Sequence, residues 1–95
     1  MLTETSTRTV AITNRHGLHV RPCLAIVNTV RRHNAEVTVQ KNGQTANATS
    51  ILELMGLAAT QGTELVLSAK GPNAEEALDA LARLFANEFE ILYKD

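Results

Sequence analysis

The chain has 95 residues, 44% of them hydrophobic, and a formal net charge of −1, which predicts one domain over residues 1–95 without the deep cleft of most metabolic enzymes. Only 3% of the residues are aromatic, which argues against a surface that stacks nucleic-acid bases. Residues 1–34 carry five arginines against a single acid, Glu4, so a phosphate group or an acidic protein surface suits this part of the chain.

The N-terminal third predicts a strand, a loop and a helix. Apolar and polar residues alternate from Arg8 to Asn14, which is typical of a strand. Asn14 to His19 is predicted to be a loop. From Val20 to about Arg32 the periodicity becomes helical, and Pro22 falls in the first turn, where its missing N–H costs no hydrogen bond.

A β-hairpin is predicted next. Alternation returns from Glu36 to Gln40, and a second strand runs through Thr45 to Ala48. The Asn42-Gly43 dipeptide between them is typical of a type I′ turn, because both central residues of that turn need a positive φ.

The last part of the chain predicts a short helix, a strand and a final helix. Ser50 and Glu53 have the spacing of a capping box, and Gly62 ends the short helix at the latest. Asn73 and Glu76 give a second capping signal after a turn at Gly71. Two apolar sets follow the periods of a strand and of a helix: Leu65, Leu67 and Ala69, then Ala77, Leu78, Leu81, Leu84 and Phe85.

The predicted order is therefore β-α-β-β-α-β-α. Four strands interleaved with three helices indicate an α+β domain of the split-βαβ kind, in which a four-stranded antiparallel sheet carries the helices on one face.

The junction between the first loop and the first helix is the candidate reactive site. His19 precedes the first helical turn, where unpaired N–H groups and the helix dipole favour an anion. A neutral imidazole is a nucleophile, and a phosphoryl group on it would bring about two negative charges. Arg21 can contact such a group through a charge-assisted hydrogen bond, and Gly17 allows close approach of the backbone. We therefore predict that His19 accepts a phosphoryl group.

A candidate docking patch lies beside this site. One stripe of the first helix, comprising Cys23, Ile26, Val27 and Val30, is enough to cover a sheet. Val20 and Leu24 lie outside that stripe, one turn apart and next to His19, and an exposed apolar pair in this place is expected to contact a partner.

The segment Gly17-Leu18-His19-Val20-Arg21-Pro22 is very similar to the active-site signature of the HPr family, the histidine-containing phosphocarriers of the sugar phosphotransferase system. The resemblance extends from Arg8 to about Phe89. It implies an open-faced β-sandwich and phosphorylation of His19 at Nδ1 by enzyme I, which is itself charged by phosphoenolpyruvate. An enzyme IIA domain would then take the group, and Ile51 and Leu52 would join Val20 and Leu24 in the partner surface.

The resemblance also concerns Ser50, which matches the serine that a bifunctional HPr kinase/phosphorylase modifies in many bacteria. Thr49 stands where family members often have lysine, so one positive charge beside Ser50 is absent. Val20 and Cys23 stand where alanine is common. A purely structural role as a helix cap is an equally good interpretation of Ser50.

Two other functions compete with the carrier. A regulatory protein of the same fold would dock to a kinase or transcription factor through Ser50 and the apolar patch, without sugar transport. A small metal-binding domain would use His16, His19 and Cys23, although no fourth ligand is evident.

The expected protein is a carrier and not an enzyme, and it needs no cofactor and no metal. The single cysteine favours a reducing cytoplasm, and neither a secretory segment in Met1–Thr9 nor a run of about 20 apolar residues is present. We therefore expect a cytoplasmic monomer without membrane insertion, whose partners are enzyme I, enzyme IIA domains and an HPr kinase/phosphorylase.

Overall fold

The computed structural model of the protein describes residues 5–89. Its elements follow the predicted order β-α-β-β-α-β-α, which is confirmed. They are β1 (Thr5–Ala11), α1 (Val20–His33), β2 (Glu36–Lys41), β3 (Gln44–Asn47), α2 (Ile51–Gly56), β4 (Glu64–Lys70) and α3 (Ala74–Ala86).

One antiparallel sheet forms the base of the domain, with its strands in the order β1-β4-β2-β3. The central strand β4 pairs with both neighbours, so that Leu67 lies opposite Arg8 on one side and Val39 on the other. Val39 in turn lies opposite Ala46 of β3. The open-faced α+β sandwich that the sequence predicted is therefore present.

The three helices share one apolar core with the inner face of the sheet. α3 packs against β1, β4 and α1, and α2 packs against α1 and β3. Each helix and each of the strands β2, β3 and β4 contributes buried side chains to that core. Large, fully buried side chains of these elements include Ile26, Val30, Val39, Leu54, Leu65, Leu67, Leu78 and Leu81. The opposite face of the sheet presents exposed polar residues such as Thr7, Thr38 and Asn47. None of the helices within residues 5–89 is long and apolar enough to cross a membrane.

The β2–β3 hairpin has the predicted turn. Asn42 has φ 46° and Gly43 has φ 87°, as a type I′ turn requires. Lys41 and Gln44 are the last paired residues on either side of it. This turn fixes the register of the hairpin, so that Val39 and Ala46 both face the core.

The first strand lies further toward the N-terminus than predicted. It spans Thr5–Ala11, whereas the alternation predicted Arg8 to Asn14. The alternating burial does continue through Ile12 and Asn14, which are both buried. The ladder ends where Ala11 is paired with Glu64, the first residue of β4. Ile12 still exchanges backbone hydrogen bonds with Thr63 and Gly62, but the positive φ of Gly62 turns the partner segment away after them.

The predicted side-chain cap at the start of α3 is wrong. Asn73 is the N-cap residue, but its φ of −106° and ψ of 22° are not extended, and its side chain makes no cap hydrogen bond. An N-cap side chain reaches the first-turn N–H groups from an extended backbone, which Asn73 lacks. The first turn is stabilised instead by two acidic residues, Glu75 and Glu76.

Candidate functional site

His19 is the N-cap residue of α1, as the sequence predicted. Its backbone is extended, with φ −100° and ψ −168°, and its carbonyl oxygen accepts the first helical hydrogen bond from Cys23 N at 3.1 Å. The imidazole does not cap the helix. The side chain is partly exposed at the helix N-terminus, where the backbone favours negative charge.

The loop before His19 is fixed by its contact with the segment between α2 and β4. Gly17 has φ 65°, and a Cβ atom there would lie 2.4 Å from Ala59 O. Leu18 N donates a hydrogen bond to the same oxygen at 3.0 Å. Glycine is therefore required at position 17 both by the backbone angle and by the close approach of a second chain segment.

Asn14 is a site residue that the sequence analysis did not identify. Its side chain is buried, with 6% exposure, and its Nδ2 donates to Gly17 O at 2.8 Å. The same oxygen accepts from His19 N at 3.1 Å. The Asn14 amide thus holds the carbonyl group that also anchors the N-cap residue. A signal was present in the sequence, because Asn14 follows Ile12 on the inward side of the alternation.

The surroundings of His19 favour the neutral form of its imidazole. Partial burial is the largest cause of its lowered pKa, and electrostatic repulsion from His16 and then from Arg21 lowers the pKa further. Arg21 lies two residues along the helix and is exposed. A lowered pKa increases the fraction of the neutral, nucleophilic form near pH 7.

His16, which the sequence made the next candidate acceptor after His19, lies beside His19 in the structure. The two ring centroids are 5.8 Å apart, and the ring planes are nearly perpendicular at 89°. His16 itself is exposed. The positive φ of Gly17 turns the chain between them, which brings two histidines three residues apart to one corner of the domain.

Cys23 belongs to the core. Its side chain is fully buried, and burial raises the pKa of the thiol to about 11. A thiolate ligand is therefore disfavoured at neutral pH. Residues 5–89 contain no group of three His, Cys, Asp or Glu side chains that could hold a metal ion. The structure thus gives no support to a metal site built from His16, His19 and Cys23.

The predicted partner residues differ in exposure. Val20 is 53% exposed, Leu24 45% and Leu52 82%, whereas Ile51 is only partly exposed and packs against the core. Met55, one turn beyond Leu52, is 38% exposed and joins the apolar surface. Because α1 and α2 pack together, we define the apolar docking surface as the set Val20, Leu24, Ile51, Leu52 and Met55.

Ser50 caps α2 as predicted, but the capping box is only half formed. Ser50 Oγ accepts a hydrogen bond from Glu53 N at 3.1 Å. The Glu53 carboxylate accepts from Asn47 N at 2.8 Å, while Ser50 N donates to Asn47 O at 3.0 Å. The Ser50 N–H is therefore already satisfied by Asn47, and Glu53 ties the end of β3 to α2.

Comparison with known proteins agrees with this geometry. Residues 6–87 match the family model described as the phosphotransferase system HPr component phosphorylation site. The phosphocarrier protein HPr of Treponema pallidum is 40% identical over 83 residues, which cover 87% of this chain and 94% of that protein.

Two further proteins are similar to this chain. The phosphoryl donor subunit DhaM of the phosphoenolpyruvate-dependent dihydroxyacetone kinase of Escherichia coli is 41% identical over 86 residues, which are 90% of this chain and 18% of that protein. The crystal structure of HPr-C-His from Thermoanaerobacter tengcongensis superposes with a TM-score of 0.86 at 36% identity, covering 90% of this chain and 96% of that one.

Proposed function

The chain belongs to the HPr family of phosphotransferase-system phosphocarriers, and from this premise we propose that His19 is the residue that carries the phosphoryl group. The observation that carries the proposal is the position of His19 at the N-terminus of α1, where its pKa is lowered and Arg21 is close by. A carrier needs a nucleophile that is neutral before transfer and an environment that accepts negative charge afterwards. This corner of the domain supplies both.

The transfer follows from the chemistry of the imidazole. The lone pair of a His19 ring nitrogen, Nδ1 by family resemblance, forms a bond to phosphorus while the bond between phosphorus and the donor breaks. The electron pair of the broken bond stays on the donor, and the other His19 nitrogen keeps its proton. Delivery to an acceptor repeats the exchange in the opposite sense. Backbone N–H groups of the first turn and the Arg21 guanidinium stabilise the added charge.

The partners in this scheme are enzyme I, as the donor, and enzyme IIA domains, as the acceptors. The apolar docking surface lies on α1 and α2, beside His19. Several of its apolar side chains are exposed next to one another, and such a contiguous exposed patch is typical of a protein–protein interface. Arg21 adds a positive charge to this region, which suits an acidic partner. One surface thus serves successive partners, which must bind in turn because each needs access to His19.

Ser50 is proposed as a regulatory phosphorylation site for an HPr kinase/phosphorylase. It is partly exposed and immediately precedes Ile51 and Leu52 of the apolar docking surface. A phosphate at a helix N-terminus is locally favourable, so the fold would tolerate the modification. The added charge would instead oppose an acidic partner. This proposal is compatible with the capping role of Ser50, since phosphate oxygens can accept the same N–H bonds.

The test of the carrier function is phosphorylation by enzyme I and phosphoenolpyruvate. We expect the wild-type protein to gain an acid-labile, base-stable phosphate, and His19→Ala to gain none while its thermal melt stays unchanged. His33→Ala is the matched control, because His33 lies at the other end of α1. Label in His19→Ala would exclude His19 as the acceptor. An unlabelled wild-type protein that still bound a kinase or transcription factor would support the purely regulatory function.

The carrier is proposed to act as a cytoplasmic monomer. The single cysteine of the chain is buried and its thiol is disfavoured as a thiolate, so no intermolecular disulfide is expected from it. Sedimentation of the purified protein at micromolar concentration measures its oligomeric state directly.

A further inference from the structure

His16 stands at the phosphorylation corner without a role in the scheme above. Its ring meets that of His19 edge-on, with centroids 5.8 Å apart and planes at 89°. Exposed side chains beside a reactive group are free to reorient toward a new ligand, and His16 is exposed. A phosphoryl group on the side of the His19 ring that faces His16 would lie close to the His16 ring.

The charges around His16 are almost all positive. The loop and first helical turn, residues 14–21, contain Arg15 and Arg21 and no acidic residue. The connection at residues 57–63, which contacts this loop through Ala59, contains no titratable side chain. On α1 the neighbouring Cys23 is buried and neutral. Thr13 reaches the end of α3 at Phe85 O, where the charged residues are Arg83 in the last turn and Glu88 just beyond the helix, both exposed.

These positive charges disfavour a proton on His16 as long as His19 carries no phosphoryl group. His16 and Arg21 both lower the pKa of His19, which means that a proton on His16 and a proton on His19 disfavour each other. A phosphoryl group reverses the sign of this interaction, because its two or so negative charges outweigh the one positive charge of the phosphorylated ring, whose other nitrogen keeps its proton. The strongest available response is protonation of the nearest neutral base.

We propose that protonated His16 binds the phosphoryl group carried by His19, so that phosphorylation of His19 is coupled to proton uptake by His16. The proposal rests on the function proposed above and adds a second phosphoryl-binding side chain to Arg21. The site then gains a cation whose charge depends on pH, which the arginine cannot provide.

The coupled step conserves atoms and charge. A lone pair of neutral His19 forms the P–N bond, and the donor leaves with the electron pair of its broken bond to phosphorus. One proton passes from solvent to a ring nitrogen of His16, whose N–H then donates a hydrogen bond to a phosphoryl oxygen. When the acceptor takes the phosphoryl group, His16 returns the proton to solvent. No other reactant is needed.

Linkage gives the sign and size of the effect. If the phosphorylated state holds His16 in its protonated form, then lower pH must favour phosphorylated His19, and phosphorylation must raise the midpoint of the His16 titration. Two negative charges at about 4 Å, the separation of a hydrogen-bonded ion pair, oppose one positive charge on the His19 ring, whose centroid is 5.8 Å from that of His16. In a largely aqueous setting the sum corresponds to a shift of about one pH unit, or about tenfold in the equilibrium constant.

The experiment is an NMR titration of the histidine ring protons in the full chain, with and without phosphate on His19. Enzyme I with phosphoenolpyruvate is one donor, and potassium phosphoramidate is a second donor that needs no protein partner. We expect the His16 midpoint to rise by about one pH unit on phosphorylation. His33 is an internal control, because α1 spans 14 residues, or about 20 Å, and its titration curve should be the same in both states.

Two variants separate the contributions of the individual histidines. Between pH 8 and pH 6, the ratio of phosphorylated to unphosphorylated protein should rise about tenfold less in His16→Asn than in the wild type, because the proton uptake by His16 is absent. His33→Asn should behave as wild type. Both side chains are outside the core, so both variants are expected to fold. His33 Nδ1 lies 2.8 Å from Thr29 O, so His33→Asn is allowed a small loss of stability that leaves the pH dependence unchanged.

The outcomes are distinct for the two proposals. Phosphorylated His19 with an unchanged His16 titration curve would overturn the coupling and leave the carrier function intact. Equal pH dependence in His16→Asn and His33→Asn would likewise overturn the coupling alone. Absence of phosphohistidine at position 19 with both donors would overturn the carrier function and the coupling together, and phosphorus NMR would show this directly.

Discussion

The side-chain amide of Asn14 donates a hydrogen bond to the carbonyl oxygen of Gly17 at 2.8 Å, and that oxygen also accepts the backbone N–H of His19. The buried asparagine therefore orients the turn that presents His19, the proposed phosphoryl acceptor. The other end of the amide, Asn14 Oδ1, has no hydrogen-bond partner among residues 5–89. The contribution of this side chain is thus its donated bond and not a fully satisfied polar network.

Replacement of Asn14 tests this positioning role. Asn14→Ala should lower the free energy of unfolding by about 1 kcal/mol or more, because Gly17 O loses a buried donor. It should also slow phosphorylation by enzyme I, since the N-cap turn loses its anchor. Urea melts and initial transfer rates measure the two effects. Asn28→Ala, an exposed asparagine on α1, is the control, and equal rates in the two variants would show that Asn14 only stabilises the fold.

Gly17→Ala should damage the site in two ways. The left-handed backbone costs about 1–2 kcal/mol for a residue with a Cβ atom, and that atom would lie 2.4 Å from Ala59 O. Gly43→Ala carries the backbone cost alone, since no atom lies within 4 Å of its Cβ position. Thermal melts should therefore show a larger loss for Gly17→Ala, and only this variant should lose phosphoryl uptake. Similar losses in both would mean that the loop moves away from Ala59 without cost.

Arg21→Ala should slow transfer to and from His19 while leaving His19 the acceptor. A charge-assisted hydrogen bond is worth about 1.5–3 kcal/mol, so rates should fall by about tenfold or more. Arg21→Lys should retain only part of the wild-type transfer rate, because lysine lacks the planar guanidinium group that can donate two parallel hydrogen bonds. Rapid-quench experiments with enzyme I measure these rates. Arg31→Ala is the control, because it removes one positive charge at the other end of α1 and should transfer at the wild-type rate.

The lowered pKa of His19 predicts the pH profile of phosphoryl uptake. Neutral imidazole is the nucleophile, so the rate should fall as pH decreases through the His19 pKa. That midpoint should lie below the ordinary value of 6.5 because burial, His16 and Arg21 all disfavour the protonated form. Removal of a neighbouring positive charge in Arg21→Ala should move the midpoint upward. A midpoint above 6.5 in the wild-type protein would contradict this electrostatic account.

Ser50→Asp should weaken docking without harming the fold. The new charge lies beside Ile51 and Leu52, and we expect enzyme I-dependent phosphorylation of His19 to fall by roughly tenfold, or about 1.4 kcal/mol. Aspartate is a good N-cap residue, so the melting temperature should be nearly unchanged. Ser50→Asn retains the cap without charge and should transfer normally. A loss of stability that accompanies the loss of rate would indicate a damaged helix.

Much of the reactive site could be predicted because its parts are adjacent in sequence. His19, Arg21 and Pro22 take their places from a single helix N-terminus, whose position depends on local periodicity. The Asn42-Gly43 turn is equally local, and the structure has the expected positive φ at both residues. The prediction of a side-chain cap failed at Asn73, because an asparagine before a helix can adopt more than one backbone conformation. Asn73 does not adopt the extended one that a capping side chain needs.

The sequence by itself determined the order of the elements and the family, and it singled out the histidine proposed as the acceptor, since each follows from spacing within a few residues. Only the tertiary structure decided that β4 lies between β1 and β2 and that Ala59 O lies against Gly17. It also decided that Asn14 is buried under the N-cap turn and that His16 faces His19. Most of these contacts join segments that are distant in the chain. The approach of His16 to His19 depends on the turn at Gly17, which a distant segment holds in place. A short-range residue pattern specifies neither kind of contact.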